Sequence, residues 1–444
     1  MKFYVLIVSV CFVLFIDAQA QNHKYDLWKI PSYFRGFNVL PSSTHQLKDY
    51  QDLKATGANL AQLGIDGLYF VDPPYEVNTD AIVAADIMVR YCDSVGIYYT
   101  ITVRSGPGRR DVWRENDLKE PKSTIWKNKN EQNKYAQMLK EIVNRYKNDS
   151  LFVGIGLMVE PNPLFDQLNI NAKALKTKLE KDSIDLKAIN QLFIEEVREA
   201  DKDIPIIVQN FQYSCPEFFA ITDTYDDEYI VYEFHSYRPI GYASNNEPKT
   251  VTYPGNFLSV NDLAMIDFDK NVLKTNVFKF VDSVQKVTDK PFFLGEFGIM
   301  YEQGGGTLFL KDMYEICMEE GWHFALWDFR TDRGPTGPWD YEKKSPEYWT
   351  TVLNMFKYSG IGDEPNSEED LMMIYPNPAD DYLYLKIAEY KITDRIEIYS
   401  IIGERLKSIE FENSENQKIF VGDLQCGIYL FKLGKASEIF FLIH

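Results

Sequence analysis

The amino-acid sequence predicts an α/β protein: a (β/α)8 TIM barrel followed by a small antiparallel β-sandwich. Eight short and almost continuously apolar runs lie between residues 33 and 329, and longer amphipathic stretches separate most of them. Such runs are typical of parallel strands that are covered on both faces. After residue 371 the pattern changes to short alternating runs between turn signals, which favours an antiparallel β domain.

The predicted strands alternate with predicted helices in the order that a barrel requires. Helical patterns end at Gly96 and at Gly321 just before the next strand, and glycine at that place is a common helix stop signal. An open doubly wound sheet is the alternative, but no Gly-x-Gly-x-x-Gly follows the first strand. The strands are predicted at residues 33–38, 58–64, 96–103, 152–160, 204–210, 229–237, 291–298 and 323–329.

The chain is predicted to divide into four segments. Residues 1–20 contain one lysine, an apolar run and the small-residue sequence AQA, which together indicate a secretory signal peptide rather than a membrane anchor. The barrel domain is predicted at residues 21–356. An acidic linker at 357–371 and a β-sandwich at 372–444 follow it.

Composition and charge narrow the possible functions. Of the 444 residues, 45% are hydrophobic and 25% are charged, which is ordinary for a globular protein. The formal net charge of −19 argues against a nucleic-acid partner, since phosphates require a basic surface. The four cysteines beyond the signal peptide are scattered, so neither a disulfide framework nor a zinc site is expected.

Two glutamates occur near the ends of predicted strands. Glu160 ends the fourth apolar run in MVEP, and Glu296 nearly ends the seventh in LGEFG. In a barrel these ends face the active-site mouth, and a carboxylate in an apolar strand is costly unless it is solvated, paired or functional. Two carboxylates about 5 to 5.5 Å apart are what retaining glycoside hydrolysis requires. The alternative is that each glutamate is an ion-paired residue at a strand end.

Over residues 31–356 the sequence resembles glycoside hydrolase family 5, a cellulase and mannanase family of retaining (β/α)8 glycosidases. The resemblance rests on VEP at 159–161 and GEFG at 295–298. It implies that Glu160 is the acid/base and Glu296 the nucleophile. It also implies a carbohydrate substrate and requires no metal or organic cofactor.

Further positions match the same family. His235 and Tyr237, in FHSYRP on strand six, resemble its His-x-Tyr motif, which implies that His235 contacts the reacting sugar and Tyr237 hydrogen-bonds the nucleophile. Trp327 on strand eight stands where the family has a sugar-stacking tryptophan, although packing in the core is an equal alternative. Asn38 is a candidate for the floor of the substrate site, with a turn role as the alternative.

Three positions depart from the family pattern. The asparagine before the acid/base is Val159, the arginine after strand two is Gln62, and the histidine after strand three is Arg104. One explanation is a pocket retuned to another sugar, in which Arg104, Arg109 and Arg110 meet an acidic group. A simpler interpretation of these arginines is a loop ion-paired to nearby acids such as Asp111. The remaining explanation of the three departures is a barrel that has lost activity and only binds glycans.

The tail resembles the C-terminal sorting domain of proteins that the type IX secretion system of Bacteroidetes exports. YPNPADDYLYLKI, IYSIIGE and CGIYLFKL carry the resemblance. It implies that the secretion machinery is a partner and that the protein is secreted or attached to the cell surface. A carbohydrate-binding β-sandwich is the alternative, but it should expose a stripe of aromatic residues.

Taken together, the sequence predicts a retaining β-glycoside hydrolase that acts on extracellular poly- or oligosaccharides through two glutamates. No nucleic acid and no integral membrane segment after signal cleavage are expected. The alternative function is a non-catalytic glycan-binding protein at the cell surface, built on a degenerate glycosidase barrel.

Overall fold

The computed structural model describes most of the chain beyond the predicted signal peptide. The described residues are 23–111, 122–163, 170–243, 251–301, 303–330, 341–356, 372–375, 379, 381–387, 395–400, 404–411, 416–433 and 436–442. The predicted signal peptide at 1–20 and the predicted linker at 357–371 lie outside these residues.

Eight parallel strands form a closed barrel, which confirms the predicted fold class. Going around the barrel, the strands follow the order β1, β10, β9, β6, β5, β4, β3, β2 and back to β1, and β7 and β8 form a separate antiparallel hairpin. The strands of this part of the chain are β1 Arg35–Val39, β2 Leu60–Ile65, β3 Tyr98–Val103, β4 Phe152–Gly156, β5 Ile206–Gln209, β6 Ile230–Ser236, β7 Gly255–Ser259, β8 Ala264–Phe268, β9 Phe292–Phe297 and β10 His323–Leu326.

Helices on the outside of the barrel follow most of the strands. Gly96 and Gly321 end two of them with φ of 65° and 74°, a left-handed conformation that glycine adopts without steric cost. A 3-10 turn lies at Pro216–Ile221 and a π turn at Leu273–Val277. The α-helices are α1 His23–Lys29, α2 Leu47–Ala55, α3 Thr79–Val95, α4 Lys129–Tyr146, α5 Ala172–Asp182, α6 Leu186–Ala200, α7 Phe211–Ser214, α8 Lys270–Val272, α9 Lys279–Gln285, α10 Gly306–Glu320, α11 Tyr341–Lys344 and α12 Pro346–Phe356.

Helix α1 closes the N-terminal end of the barrel. Trp28 belongs to a buried apolar cluster with Phe34 and with one side chain from each of the other seven barrel strands. Its Nε1 donates to the carbonyl of Val153 at 2.8 Å. Because this end is filled with apolar side chains, the opposite end, at the C-termini of the strands, is left as the place for a polar site.

The fourth strand is shorter than predicted. Its regular part ends at Gly156, although the N–H groups of Leu157 and Val159 still donate to Ile207 and Val103 on either side. Glu160 has a φ of 49°, in the left-handed region that a strand cannot contain. The prediction that strand four runs to Glu160 is therefore wrong, because the backbone turns there.

The C-terminal part contains two antiparallel sheets that share one core. Side chains from both sheets, including Leu385, Ile398 and Phe431, pack together, which confirms the predicted β-sandwich. The strands are β11 Met372–Tyr375, β12 Tyr382–Ile387 and β15 Asn416–Phe420 in one sheet, and β13 Arg395–Ser400, β14 Arg405–Glu410, β16 Gly427–Leu433 and β17 Ala436–Leu442 in the other.

Cys92, Cys215 and Cys317 are free thiols. In the portion of the chain that the structure describes, no helix has both the length and the apolar character needed to cross a membrane.

Candidate active site

The two predicted catalytic glutamates meet at the C-terminal mouth of the barrel. Glu296 lies on β9, Glu160 follows β4, and their side chains are largely buried, with 4% and 7% of each residue exposed. One carboxylate oxygen of each lies within 4.8 Å of the other. Two acidic groups so close in a buried site interact strongly, because little water screens them.

His235 on β6 lies between these two carboxylates. Its Nδ1 is 2.9 Å from Glu160 Oε1 and 3.6 Å from Glu296 Oε2. His235 and Glu296 are partners in the register of β6 and β9, so the barrel itself brings them together. The sequence placed His235 at the site, and the structure shows that one imidazole contacts both glutamates.

A third carboxylate, which the sequence interpretation missed, lies beneath His235. Glu233 is fully buried on β6, and its Oε1 lies 3.1 Å from His235 Nε2 and accepts from Gln62 Nε2 at 2.8 Å. The signal was present in the sequence, since YEFHSY places an acid in an apolar strand two residues before the histidine. Side chains two residues apart on a strand point to the same side.

Glu296 has two further polar neighbours. Tyr237 Oη donates to Glu296 Oε2 at 3.2 Å, and Arg104 Nη1 lies 3.5 Å from Glu296 Oε1. Arg104 Nε also donates to Asp111 Oδ2 at 2.7 Å, so this guanidinium joins the loop after β3 to the glutamate on β9. Both contacts favour the ionised form of Glu296.

The unusual backbone of Glu160 is held by two side chains. Its N–H donates to Gln209 Oε1 at 2.7 Å. The buried Arg109 donates through Nη2 to the carbonyls of Val159 and Glu160, at 3.0 and 3.2 Å. Gln209 was not predicted from the sequence, and no local pattern distinguishes it from any other polar residue at a strand end.

Electrostatic interactions change the protonation of the central groups. Burial raises the pKa of Glu296 to about 7, and the adjacent Glu160 adds to this effect although His235 and Arg104 oppose it. Burial disfavours a charged His235, yet the carboxylates of Glu296, Glu160 and Glu233 raise its pKa to about 10. These carboxylates therefore favour the imidazolium form of His235 at neutral pH.

The remaining predicted residues surround this cluster. Trp327 is almost fully buried, and the Arg104 guanidinium carbon lies 5.3 Å from the centre of its ring. Asn38 is buried within β1, where its Nδ2 donates to the carbonyls of Gly295 and Ala325 at 2.8 and 3.3 Å. Substrate contacts by these two residues and by Arg104 stay predictions.

The loop arginines are all engaged by protein groups. Arg104 pairs with Asp111, the guanidinium of Arg110 donates to both carboxylate oxygens of Asp72, and Arg109 binds backbone carbonyls. Arg104 and Arg110 thus pair with nearby acids, as the simpler sequence interpretation predicts, whereas Arg109 binds backbone carbonyls instead of an acid.

A (β/α)8 barrel with paired buried glutamates at its mouth is the arrangement expected of the glycoside hydrolase class. The protein-family model "Cellulase (glycosyl hydrolase family 5)" matches residues 30–333, more than half of the chain. The chain therefore belongs to glycosyl hydrolase family 5.

Known proteins similar to this chain include several endoglucanases. Endoglucanase C of Acetivibrio thermocellus is 21% identical over 247 residues, which are 51% of this chain and 65% of that protein. A crystal structure of endoglucanase Cel5A from Thermotoga maritima covers 75% of this chain and 99% of its own, with a TM-score of 0.54 and 14% identity. A hyperthermophilic endo-β-1,4-glucanase has a TM-score of 0.54 over the same shares, with 16% identity.

The model of the secretion system C-terminal sorting domain matches residues 373–440. The match confirms the predicted sorting domain of the type IX secretion system. Together with the glycoside hydrolase domain, it indicates a secreted or cell-surface protein.

Proposed function

We propose that this protein is a retaining β-glycoside hydrolase that cleaves extracellular poly- or oligosaccharide by double displacement. The observation that carries the proposal is the approach of the Glu160 and Glu296 carboxylates to within 4.8 Å at the barrel mouth. Retaining enzymes need carboxyl groups about 5 to 5.5 Å apart, whereas inverting enzymes need about 6.5 to 9.5 Å to admit a water molecule.

In the first displacement, a carboxylate oxygen of Glu296 attacks the anomeric carbon as the bond to the glycosidic oxygen breaks. Glu160 transfers its proton to that oxygen, so the leaving sugar departs as an alcohol. In the second, Glu160 removes a proton from water, the water oxygen attacks the anomeric carbon, and Glu296 is released. Two inversions give net retention of the β configuration.

The surroundings of the two glutamates support this division of roles. Glu296 accepts a hydrogen bond from Tyr237 and lies beside Arg104, and both neighbours favour a carboxylate. Burial raises the pKa of Glu296 to about 7, so these two neighbours favour the carboxylate that the attack requires. Glu160 contacts neither of them and is the donor that the first step requires.

The proposed substrate class is a neutral β-linked glucan. The relatives described above are endoglucanases by name. The loop arginines are already engaged by Asp111, Asp72 and backbone carbonyls, so they offer little to an acidic sugar. Val159, which has no hydrogen-bonding side chain, cannot contact a 2-hydroxyl, and we expect weaker discrimination at that position of the sugar.

The decisive experiment is chemical rescue with the full chain. Wild type, Glu296→Ala and Glu160→Ala are assayed on β-linked polysaccharides and on a dinitrophenyl β-glycoside, with Asp312→Asn as a control for loss of a buried acid. Azide should rescue Glu296→Ala with formation of an α-glycosyl azide and Glu160→Ala with formation of a β-glycosyl azide. No turnover by the wild type, together with retained binding to one glycan, would instead support a glycan-binding protein.

We also propose the chain division predicted from the sequence: a signal peptide at 1–20, a barrel domain at 21–356, a linker at 357–371 and a sorting domain at 372–444. The tail would direct export, so that the barrel meets its substrate outside the cell. Deleting residues 372–444 should leave the hydrolase inside the cell envelope. Unchanged secretion of the truncated chain would contradict this assignment.

A further inference from the structure

Glu233 stands out among the buried acids because it lies inside the barrel and serves no step of the proposed reaction. It is fully buried on β6, and the absence of a side chain at Gly295 makes room for it. A Cβ at Gly295 would lie 1.7 Å from Glu233 Oε1. Burying a carboxylate in this way is costly unless its neighbours compensate for the lost hydration.

The neighbours of Glu233 are few and specific. Its Oε1 lies 3.1 Å from His235 Nε2 and accepts from Gln62 Nε2, which reaches across the barrel from β2. Within the described part of the chain, Glu233 Oε2 is buried without a hydrogen-bond partner. The carboxylate is therefore incompletely satisfied, and its main compensation is the charge of His235.

Both ring nitrogens of His235 face carboxylate oxygens. Nδ1 faces Glu160 and Glu296, whereas Nε2 faces Glu233. An ionised carboxylate only accepts hydrogen bonds, so a neutral imidazole, with one N–H, would direct a lone pair at one of them. When the facing carboxyl groups are ionised, the geometry is satisfied on both sides only if His235 carries two protons, and Glu160 Oε1 can still accept from Nδ1 when the proton of Glu160 is on its other oxygen.

We propose that Glu233 is a positioning residue that keeps His235 doubly protonated and thereby holds the side chains of Glu160 and Glu296 together. This role rests on the proposed function, because it serves the two-glutamate reaction. Replacing Glu233 by glutamine leaves an amide oxygen that can still accept from Nε2, but it removes the charge that favours the imidazolium. His235 in this variant would lose its Nδ1 proton at a lower pH than in the wild type. The lone pair left on Nδ1 would then face Glu160.

The test uses the full chain and does not depend on activity. Histidines are labelled with ¹³C and ¹⁵N, the His235 resonances are assigned with His235→Gln, and the protein is titrated by NMR between pH 5.5 and 9. Wild-type His235 should stay protonated across this range. Glu233→Gln should lower the midpoint by more than about one pH unit, so that His235 loses its proton within this range.

Activity provides a second measurement. A dinitrophenyl β-glycoside needs no proton donor in the first step, so the alkaline limb of kcat/KM reports the state of His235 rather than that of Glu160. Glu233→Gln should move this limb to lower pH and reduce kcat at least about tenfold, with a smaller change in KM. The charged groups around His235 in this interpretation are Glu160, Glu296, Glu233 and Arg104, with Tyr237 beside Glu296.

Two control variants separate positioning from general stability. Asp312, on the outer helix α10, is another buried acid, and it accepts a hydrogen bond from Tyr253. Asp312→Asn should leave the His235 titration unchanged. The double variant Gln62→Glu, Glu233→Gln exchanges the amide and the carboxylate. It preserves the net charge and the hydrogen bond between positions 62 and 233, but it places an amide beside His235 Nε2. This exchange should keep the lowered midpoint.

The proposal is overturned if wild-type His235 is neutral at pH 7, if Glu233→Gln leaves its titration unchanged, or if the exchanged pair restores wild-type behaviour. Failure of the azide rescue, with a normal His235 titration, would contradict the proposed hydrolysis alone.

Discussion

His235 Nδ1 lies 2.9 Å from Glu160 Oε1, so the proposed acid/base is in direct contact with an imidazolium. The cation stabilises a negative charge on Glu160 after it has donated its proton, which is the form that must then activate water. The same ring lies 3.6 Å from Glu296 Oε2. His235 therefore contacts both carboxyl groups, and its charge acts on both of them.

The pH profile on a dinitrophenyl β-glycoside should fall on its acidic side near pH 7. The nucleophile must be ionised, and burial together with repulsion from the adjacent Glu160 raises the pKa of Glu296 to about 7, so activity is lost as the pH falls through that value. The measurement is kcat/KM against pH. Glu160→Ala removes one source of the raised pKa and should move this limb to lower pH, and a limb that stays in place would contradict the assignment to Glu296.

Arg104→Gln should reduce kcat/KM by about tenfold or more, because it removes a cation 3.5 Å from Glu296 that favours the nucleophilic carboxylate. Arg110→Gln is the matched control, since Arg110 pairs with Asp72, whose side chain is 70% exposed. Exposed ion pairs contribute only about 0 to 1 kcal/mol to the free energy of unfolding. Equal losses of activity in both variants would argue against a specific role for Arg104.

Gln209→Leu should lower both stability and activity. It leaves the N–H of Glu160 without its acceptor at 2.7 Å, a loss of about 1 to 3 kcal/mol in the free energy of unfolding, and it frees a left-handed backbone that sets the position of the acid. Urea denaturation and kcat measure the two effects.

The control for this variant is Gln132→Leu. Gln132, on helix α4, is equally buried, and its Nε2 donates to the carbonyl of Ile125 in the loop before that helix at 2.8 Å. We expect a similar loss of stability with normal kcat. A Gln209→Leu enzyme with unchanged kcat would show that the Glu160 backbone does not need this support.

Asp93→Asn should stabilise the protein at pH 8 and have little effect at pH 4. Burial and a hydrogen bond with Asp149 raise the pKa of Asp93 to about 7, so the folded state keeps a proton that the unfolded state releases at lower pH. The stability that this proton provides is present below pH 4 and is lost as the pH rises towards 7.

Asp93 also lies in the last turn of α3, where a negative charge opposes the helix dipole. Tm measured against pH for the two proteins should therefore diverge above about pH 5. Parallel curves would mean that Asp93 titrates normally in the folded protein.

The sequence alone determined the class of fold, because parallel strands covered on both faces have a local apolar signature and helices end at recognisable glycines. It also identified Glu160, Glu296, His235 and Tyr237 as a group, since each lies in a short motif at a strand end. These signals are local in the chain, so they can be read without knowing which residues meet.

Only the tertiary structure decided which residues meet around that group. The contact of Glu233 with Gln62 joins positions 171 residues apart, and that of Arg104 with Glu296 joins positions 192 apart. Closure of the barrel brings them within hydrogen-bonding distance in a buried site, where charges interact strongly. The left-handed turn at Glu160 likewise depends on Arg109 and Gln209, which come from other parts of the barrel.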